Sequence, residues 1–283
     1  MEEKLVSRRG FIMGAAAAAT GAALLGSPIA LADDGDPIPA AGSWGEYYTP
    51  LDPWTIGRAA FSGGAVGCTG CGGRSAGAII EGLVGELGWP WTTLPLNVGM
   101  FHNGGGPYGE TCGGVMGPYF IMSLVGAGSA LGAQWHKWCS ETAFPSTQWD
   151  EFTTFKNTVQ TTSDSPLCHV SRTTWENAYL KQWDRVSTYD SSRCGKMYAD
   201  MTMKAVQMLN DWKAGTSIAP WAATADYETC YSCHNKLYTD KQVGASYPSG
   251  KENCNNCHDV TTKHAKGVGG GKPVKPSKKV APK

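Results

Sequence analysis

The fold class of this 283-residue chain is decided by residues 67–88, which read GCTGCGGRSAGAIIEGLVGELG. After Ser75, apolar side chains recur with the three- and four-residue spacing of one helix face, at Ala76, Ile79, Ile80, Leu83, Val84 and Leu87. This spacing predicts an amphipathic helix that begins just after Cys68 and Cys71 and buries its apolar face. Gly88 is suited to the left-handed conformation that ends many helices, so we expect the helix to stop there.

Further helical patterns follow along the chain. The uncharged apolar residues 115–131 predict one buried core helix rather than a membrane span. Residues 148–160 and 171–186 predict exposed or edge helices, and a last helical stripe before Gly215 consists of Tyr198, Met201, Ala205, Met208, Leu209 and Trp212. Because no long alternating strand pattern is present, we predict a mainly α fold.

Composition excludes several classes of protein. The 24 basic and 24 acidic residues cancel, and charged residues make up only 17% of the chain, so no strong positive field is available to bind nucleic acid. The 11 tryptophans argue for a packed core rather than disorder.

Residues 1–32 have the pattern of an export signal. Arg8 and Arg9 are adjacent, residues 15–25 are weakly apolar, and Ala30-Leu31-Ala32 offers small residues for cleavage. These features are typical of the twin-arginine route and predict a periplasmic protein, with an ordinary secretory signal as the alternative. The apolar run is shorter than the ~20 residues that span a bilayer, so we expect no membrane span in the mature protein.

The remaining chain divides by composition. We predict a lead-in segment at residues 33–66, a helical cysteine-rich domain at 67–215, and at 216–262 a small coil and helix segment that contains two C-x-x-C-H motifs. Residues 263–283 contain seven lysines and no acid, spaced by glycine and proline, which predicts a flexible tail.

Two copies of the haem c attachment motif C-x-x-C-H lie close together in the chain. They consist of Cys230, Cys233 and His234, and of Cys254, Cys257 and His258. In this motif two thiols bond the porphyrin and the following imidazole binds the iron. A zinc ribbon is the alternative, but it would leave the two histidines without a role. The motifs predict two covalently bound c-type haems.

Each haem iron also needs a sixth ligand or an open position. No methionine lies near either motif, whereas His102, His136, His169 and His264 remain. Four spare histidines for two irons favour bis-histidine ligation, which suits electron transfer.

Six further cysteines precede the haem motifs: Cys68, Cys71, Cys112, Cys139, Cys168 and Cys194. Three disulfides are one interpretation for an exported protein. The twin-arginine route carries folded proteins, however, and haem c is attached only after export, so the route itself favours a cofactor assembled in the cytoplasm. An iron–sulfur cluster held by thiolates fits that requirement. Glycines around Cys112, and the C-x-x-C spacing of Cys68 and Cys71, agree with a metal site.

Residues 67–212 resemble the redox-active family named for its C-GCAxxG-C-C cysteine pattern, and within it the split-Soret cytochromes c. The run from Cys112 to Gly117 is similar to the family's Cys-Gly-Ala-x-x-Gly, with Gly114 in place of alanine. Cys168 and Cys194 resemble the third and fourth family cysteines, and the first is Cys68 or Cys71. Cys139 matches no family cysteine.

The resemblance implies a set of cofactors and ligands. It implies an iron–sulfur centre, expected to be [2Fe–2S], held by Cys112, Cys168, Cys194 and either Cys68 or Cys71. It also implies two closely packed bis-histidine haems in a homodimer that shares axial histidines across its interface. As distal haem ligands we rank His169 first, His102 second and His264 third.

We therefore predict an electron carrier with an unknown redox partner, not an enzyme. No nucleophile triad, phosphate loop or nucleotide fingerprint is found in the sequence. Two alternatives stay open: a haem-dependent reductase or peroxidase with one open iron, and a disulfide-stapled dihaem cytochrome without a cluster.

Overall fold

A computed structural model describes residues 37–62, 68–154, 156, 159–183, 191–225, 227–228 and 251–252. Its six α-helices are α1 Pro53–Ser62, α2 Gly70–Leu87, α3 Gly113–Leu124, α4 Gly128–Glu141, α5 Cys168–Trp183 and α6 Ser191–Lys213. Short 3₁₀ turns lie at Trp44–Tyr47, Trp91–Thr93, Val98–His102, Gly106–Tyr108 and Asp150–Phe152. Within the described residues, β structure is limited to two isolated antiparallel bridges. The predicted mainly α fold is confirmed.

Helix α2 is the helix that the opening stretch predicts. Ile79, Ile80 and Leu83 of its apolar face are fully buried, and each contributes roughly 1.5–3 kcal/mol through burial. The helix ends at Leu87, and Gly88 follows with a positive φ of 71°. Its first turn lies before Ser75, so the helix contains Cys71 instead of beginning after it.

The prediction of one helix over residues 115–131 is wrong. Helix α3 ends at Leu124, Gly126 has a φ of 85°, and α4 starts at Gly128. The amide of Gly42 donates to the Leu124 carbonyl, and the Gly42 carbonyl oxygen lies 2.4 Å from the position of a Cβ on Gly126. The break between α3 and α4 therefore leaves room for the backbone of Gly42. The sequence pattern does not show this break, because the residues on both sides of it are apolar and buried.

The predicted helix at residues 148–160 is also wrong. The described part contains only the turn Asp150–Phe152. Trp149 is fully buried and stacks on Trp54 at 4.9 Å and on Phe61 at 5.8 Å between ring centroids. Tertiary contacts, not a helical period, therefore hold this segment in place.

The last two helices agree better with their patterns. Helix α5 covers most of the predicted 171–186, with residues 184–186 outside the described ones, and α6 contains the whole stripe up to Trp212. Helix α6 packs against α1, α2 and α3, while α2 also packs on α3 and on the turn Val98–His102. None of the described helices combines the length and apolarity needed to cross a membrane.

The chain forms two compact units, Met1–Pro220 and Trp221–Lys283. All six helices belong to the first. In the second, the described residues include Trp221, which meets the Tyr227 ring edge-on at 5.4 Å and lies 4.4 Å from the Lys251 ammonium. The signal at residues 1–32, both C-x-x-C-H motifs and the tail at 263–283 lie outside the described residues, and the domain boundaries stay predictions.

Candidate metal centre

Four cysteines lie at the starts of four different helices. Cys71 is the second residue of α2, Cys112 is the N-cap of α3, Cys168 is the first residue of α5, and Cys194 lies in the first turn of α6. A helix start presents unpaired N–H groups and the positive end of the helix dipole. Each of the four sulfurs therefore lies where a negative charge is favoured.

Backbone pairing brings Cys112 and Cys168 together. The Cys112 amide donates to the Pro166 carbonyl at 2.9 Å, and the Cys168 amide donates to the Glu110 carbonyl at 2.7 Å. These bonds flank the antiparallel bridge between Thr111 and Leu167. Two loops far apart in sequence thus deliver their cysteines side by side.

Cys71 and Cys112 form a hydrogen-bonded pair. The Cys112 thiol donates to the Cys71 sulfur, and this bond, with amide N–H groups of Gly113, Gly72 and Gly114, lowers the pKa of Cys71 to about 6 although burial acts to raise it. Amide donors to sulfur are a common feature of iron–sulfur sites, where they tune the bound centre. Cys71 consequently ionises more readily than Cys112 or Cys168.

The thiols of Cys112 and Cys168 hold their protons more tightly than Cys71. The pKa of Cys112 is raised well above the usual value because it donates to Cys71, because it is buried, and because negative charge on the other three thiols opposes its ionisation. The pKa of Cys168 is raised by burial, then by the charges of Cys194 and Cys71. The four sulfurs therefore share one region, and a bound cation would be needed to make all of them thiolates.

Glycines close the space around Cys71. A Cβ on Gly113 would lie 2.0 Å from the His102 carbonyl oxygen and 2.6 Å from the Cys71 sulfur. At Gly114, where the resembled family has alanine, a Cβ would lie 2.8 Å from the Met201 sulfur. The glycine-rich run is therefore a close-packed wall of the site.

The structure separates Cys71 from its C-x-x-C partner. The Cys68 thiol donates to the Leu96 carbonyl oxygen at 3.1 Å, and burial, then the charge of Glu81, raises its pKa. Of the two candidates that the sequence left open, Cys71 lies with Cys112, Cys168 and Cys194, and Cys68 lies outside the set.

Cys139 lies apart in α4. It is buried, and burial alone raises its pKa well above the usual value, without a contribution from any other thiol. All six described cysteines are free thiols. Three disulfides among them are therefore not the arrangement found in the described residues.

The donor set fits a centre with several metal ions better than a single ion. Within the described residues, no three His, Cys, Asp or Glu side chains are positioned to hold one metal ion. An iron–sulfur cluster spreads its thiolates over more than one iron, so its ligands need not converge on one point. Four thiols with amide donors and no carboxylate match the soft-ligand chemistry of such a cluster. The residues present fit the implied group.

Arg193 is a residue of this site that the sequence analysis missed. Its side chain is buried; Nη2 donates to the Ser171 carbonyl at 3.0 Å and to the Ser171 hydroxyl at 2.9 Å, and Nη1 lies 3.8 Å from the Cys194 sulfur. Its charge also acts to lower the pKa of Cys168. The sole signal in the sequence was its position next to Cys194, because nothing there reveals that the side chain turns inward.

The spare histidines have different surroundings. His169 is exposed, and its Nδ1 lies 2.8 Å from the Gly109 carbonyl oxygen, which can only accept, so Nδ1 carries the proton and Nε2 is the potential ligand atom. His102 has a buried Nδ1 with no hydrogen-bond partner in the described residues. His136 donates from Nδ1 to Gly132 at 2.8 Å and packs its ring on Tyr119.

The remaining haem-ligand predictions cannot be placed. They concern residues outside the described ones: Cys230, Cys233, His234, Cys254, Cys257, His258 and His264. Their assignment stays a prediction from the sequence.

Comparisons of sequence and of structure with known proteins both find split-Soret cytochrome c. The sequence is 28% identical over 275 residues to split-Soret cytochrome c of Desulfovibrio desulfuricans, covering 90% of this chain and 95% of that protein. A solved structure, described as a novel iron centre in the split-Soret cytochrome c from Desulfovibrio desulfuricans, matches with a TM-score of 0.63 and 24% identity over 76% of this chain and 92% of that one. No protein-family model matches the sequence.

The fold and the site together define a mainly helical protein in which helix starts gather cysteine thiols. Within that class the chain is a relative of split-Soret cytochrome c, and the resemblance predicted from its motifs is confirmed. Its place in the wider C-GCAxxG-C-C family stays a prediction.

Proposed function

We propose that this chain is a periplasmic electron-transfer protein with two bis-histidine c-type haems and one [2Fe–2S] cluster. The observation that carries the cluster assignment is the gathering of Cys71, Cys112, Cys168 and Cys194 at four helix starts. The two C-x-x-C-H motifs support the haems. The relative is by name a cytochrome c, and the matched structure is described as containing an iron centre.

The protein residues would hold the cluster, compensate its charge and keep it from water. Iron–sulfur centres and haems store and pass single electrons. Cys112 is buried in the core, and a Cβ on Gly72 or Gly113 would lie 2.3 or 2.0 Å from a backbone carbonyl oxygen, so the surroundings of the Cys71 and Cys112 sulfurs are closely packed. Such a fixed environment suits electron transfer, because a site that moves little on reduction exchanges electrons readily.

His169 is our first choice for a distal haem ligand. It directly follows Cys168, and its Nδ1 faces the Gly109 carbonyl oxygen, so Nε2 is the nitrogen that could bind a metal. An Nδ1–H bond to a backbone carbonyl is the arrangement that most metal-bound histidines adopt. A homodimer that shares such a histidine belongs to the same proposal.

Metal and sulfide analysis of the mature protein purified from its host tests the proposal. We expect about four iron atoms per chain, two from the haems and two from the cluster, together with labile sulfide. Electron paramagnetic resonance of the reduced protein should show the cluster signal. Two iron atoms per chain without sulfide would contradict the cluster and leave the disulfide-stapled cytochrome.

Haem spectra distinguish the proposed electron carrier from a reductase or peroxidase with one open haem iron. Bis-histidine haems should be low-spin and unchanged by carbon monoxide or cyanide. His169→Ala should convert one haem to a high-spin form, whereas His136→Ala should leave both low-spin because His136 packs on Tyr119. A ligand-binding, high-spin haem in the unaltered protein would favour a reductase or peroxidase.

A further inference from the structure

We propose that Arg193 raises the reduction potential of the iron–sulfur centre by placing a buried positive charge beside its ligands. This inference rests on the proposed function, since it concerns the same cysteines. Arg193 is 3% exposed, and one of its Nη atoms lies 3.8 Å from the Cys194 sulfur.

The charge of Arg193 has no acidic partner among the described residues. Its described hydrogen-bond partners are the Ser171 carbonyl, the Ser171 hydroxyl and the Cys194 sulfur, and no carboxylate in the described part of the chain forms an ion pair with it. A buried charge is costly unless an opposite charge compensates it. Cys168 and Cys194 would supply the compensating negative charge as thiolates when they bind the iron of the centre.

One N–H of Arg193 has no acceptor within the part of the chain that the structure describes. Nε is buried and has no hydrogen-bond partner within the described residues, while both Nη atoms are engaged. The packing of the guanidinium near the Trp175 ring, at 5.6 Å, helps to hold it in this orientation. The guanidinium is thus held by Ser171 and Trp175 with its charge beside Cys194.

The physical consequence is a shift in reduction potential. A [2Fe–2S] centre with four thiolates carries about two negative charges when oxidised, and the electron gained on reduction adds another. A buried cation attracts the more negative, reduced form more strongly than the oxidised form. Net charge and hydrogen bonds to sulfur are among the factors that set such potentials.

Arg172 provides a matched control on the neighbouring helix. It also acts to lower the pKa of Cys168, but its side chain is half exposed and forms an ion pair with Glu176 at 2.6 Å. Solvent and salt screen an exposed charge far more than a buried one. Its removal takes away the same formal charge with much less effect at the cysteines.

The test is a redox titration of the cluster, followed by electron paramagnetic resonance, in Arg193→Met, Arg193→Gln and Arg172→Met. We expect the two Arg193 variants to be at least tenfold harder to reduce, a shift of about 59 mV to more negative potential for one electron. Arg172→Met should shift the potential much less. Iron and labile sulfide per chain are measured in every variant, and circular dichroism confirms that each is folded.

The other possible outcomes contradict the proposed role of Arg193 or the proposed cluster. An unchanged potential in both Arg193 variants, or an equal shift in Arg172→Met, would overturn the role of Arg193. If the Arg193 variants fold but contain no cluster, Arg193 is required for cluster assembly, and the proposed effect on the reduction potential is overturned. Absence of labile sulfide from the unaltered protein would instead overturn the proposed cluster itself.

Discussion

Among single residues, Cys68 and Cys71 best illustrate how surroundings decide a role. Both belong to one C-x-x-C motif, and three positions separate them. Hydrogen bonds from the Cys112 thiol and from backbone amides lower the pKa of Cys71, although its thiol also lies 3.9 Å from the Asn103 amide oxygen. Burial raises the pKa of Cys68, whose thiol donates to the Leu96 carbonyl oxygen. Donors stabilise a thiolate, and a carbonyl acceptor stabilises the protonated thiol. The two cysteines are therefore not equivalent.

This difference predicts opposite results for two serine variants. Cys71→Ser should lose most of the cluster iron and sulfide, because an alkoxide is a poor substitute for a thiolate ligand. Cys68→Ser should retain both, and Cys139→Ser, which alters a buried thiol in α4, serves as a control for loss of packing. Iron and labile sulfide per chain provide the measurement. Loss of sulfide in Cys68→Ser with retention in Cys71→Ser would reverse our assignment.

At the scale of elements, the start of α2 packs directly on the turn Val98–His102. A Cβ on Gly72 would lie 2.3 Å from the Gly99 carbonyl oxygen, and a Cβ on Gly99 would lie 2.2 Å from the Gly72 carbonyl oxygen. Two backbones therefore touch with no side chain between them. Because Cys71 precedes Gly72, this contact also positions the first thiol of the site.

We expect Gly72→Ala to lower stability and Gly85→Ala to raise it. In Gly72→Ala the new methyl group meets backbone that cannot rotate away, so the cost should be about 1–3 kcal/mol or more. Gly85 lies in the same helix with no atom near the position of its Cβ, and alanine there should stabilise by up to about 1 kcal/mol through helix propensity. Denaturant unfolding monitored by circular dichroism measures both. Equal effects would show that the close contact is unimportant.

Helix α1 begins with a charged cap whose effect depends on pH. The Asp52 carboxylate accepts from the Thr55 amide at 2.7 Å, and hydrogen bonds from the Thr55 side chain and backbone hold its pKa below the usual value. A carboxyl group whose pKa is lower in the folded state stabilises the fold above its unfolded pKa of about 3.9. That stabilisation is lost as the pH falls through the folded pKa.

Asp52→Ala should therefore cost about 1 kcal/mol at pH 7 and less at pH 2. Asp52→Asn keeps an acceptor for Thr55 without the ionisable group, so it should be less stable than the unaltered protein at pH 7, and this difference should shrink at pH 2, where Asp52 is protonated. The measurement is urea unfolding at the two pH values. An Asp52→Ala cost that does not change with pH would mean that the charge makes no contribution.

At the scale of the whole molecule, one buried ion pair links the long segment before α5 to the core. The Lys196 ammonium of α6 is fully buried and pairs with the Asp150 carboxylate, which is 24% exposed. In the same region the Trp149 indole donates to Asp200 at 2.7 Å. Contacts with side chains of α6 therefore hold this segment in place, where the sequence pattern had predicted a helix.

Because Lys196 is fully buried and Asp150 is partly exposed, replacing one or the other should destabilise the fold to different degrees. Asp150→Asn removes the carboxylate from a buried ammonium group and should cost about 3 kcal/mol. Lys196→Met should cost clearly less, since the methionine side chain fills a similar apolar space and Asp150 can be hydrated. Unfolding midpoints of the two variants at neutral pH make the comparison. A larger loss in Lys196→Met would show that the pair itself stabilises the fold.

Helical periodicity predicted the structure correctly where the burial of a residue depends mainly on the face of its own helix. The spacing of Ile79, Ile80 and Leu83 predicted α2, and the stripe around Met208 predicted α6. The same approach failed at Gly126 and at Trp149, where the backbone is arranged by groups from distant parts of the chain. It also left Cys68 and Cys71 undecided, because both occupy the same motif.

The sequence by itself determined the helical class, the cysteines worth considering and the two haem attachment motifs, because periodicity and motif spacing are properties of neighbouring residues. Only the tertiary structure decided that Cys71 joins Cys112, Cys168 and Cys194, and that the Arg193 charge is buried next to them. Those facts depend on four helix starts meeting at one place. Burial and proximity between segments arise from packing of the whole chain, which no local pattern contains.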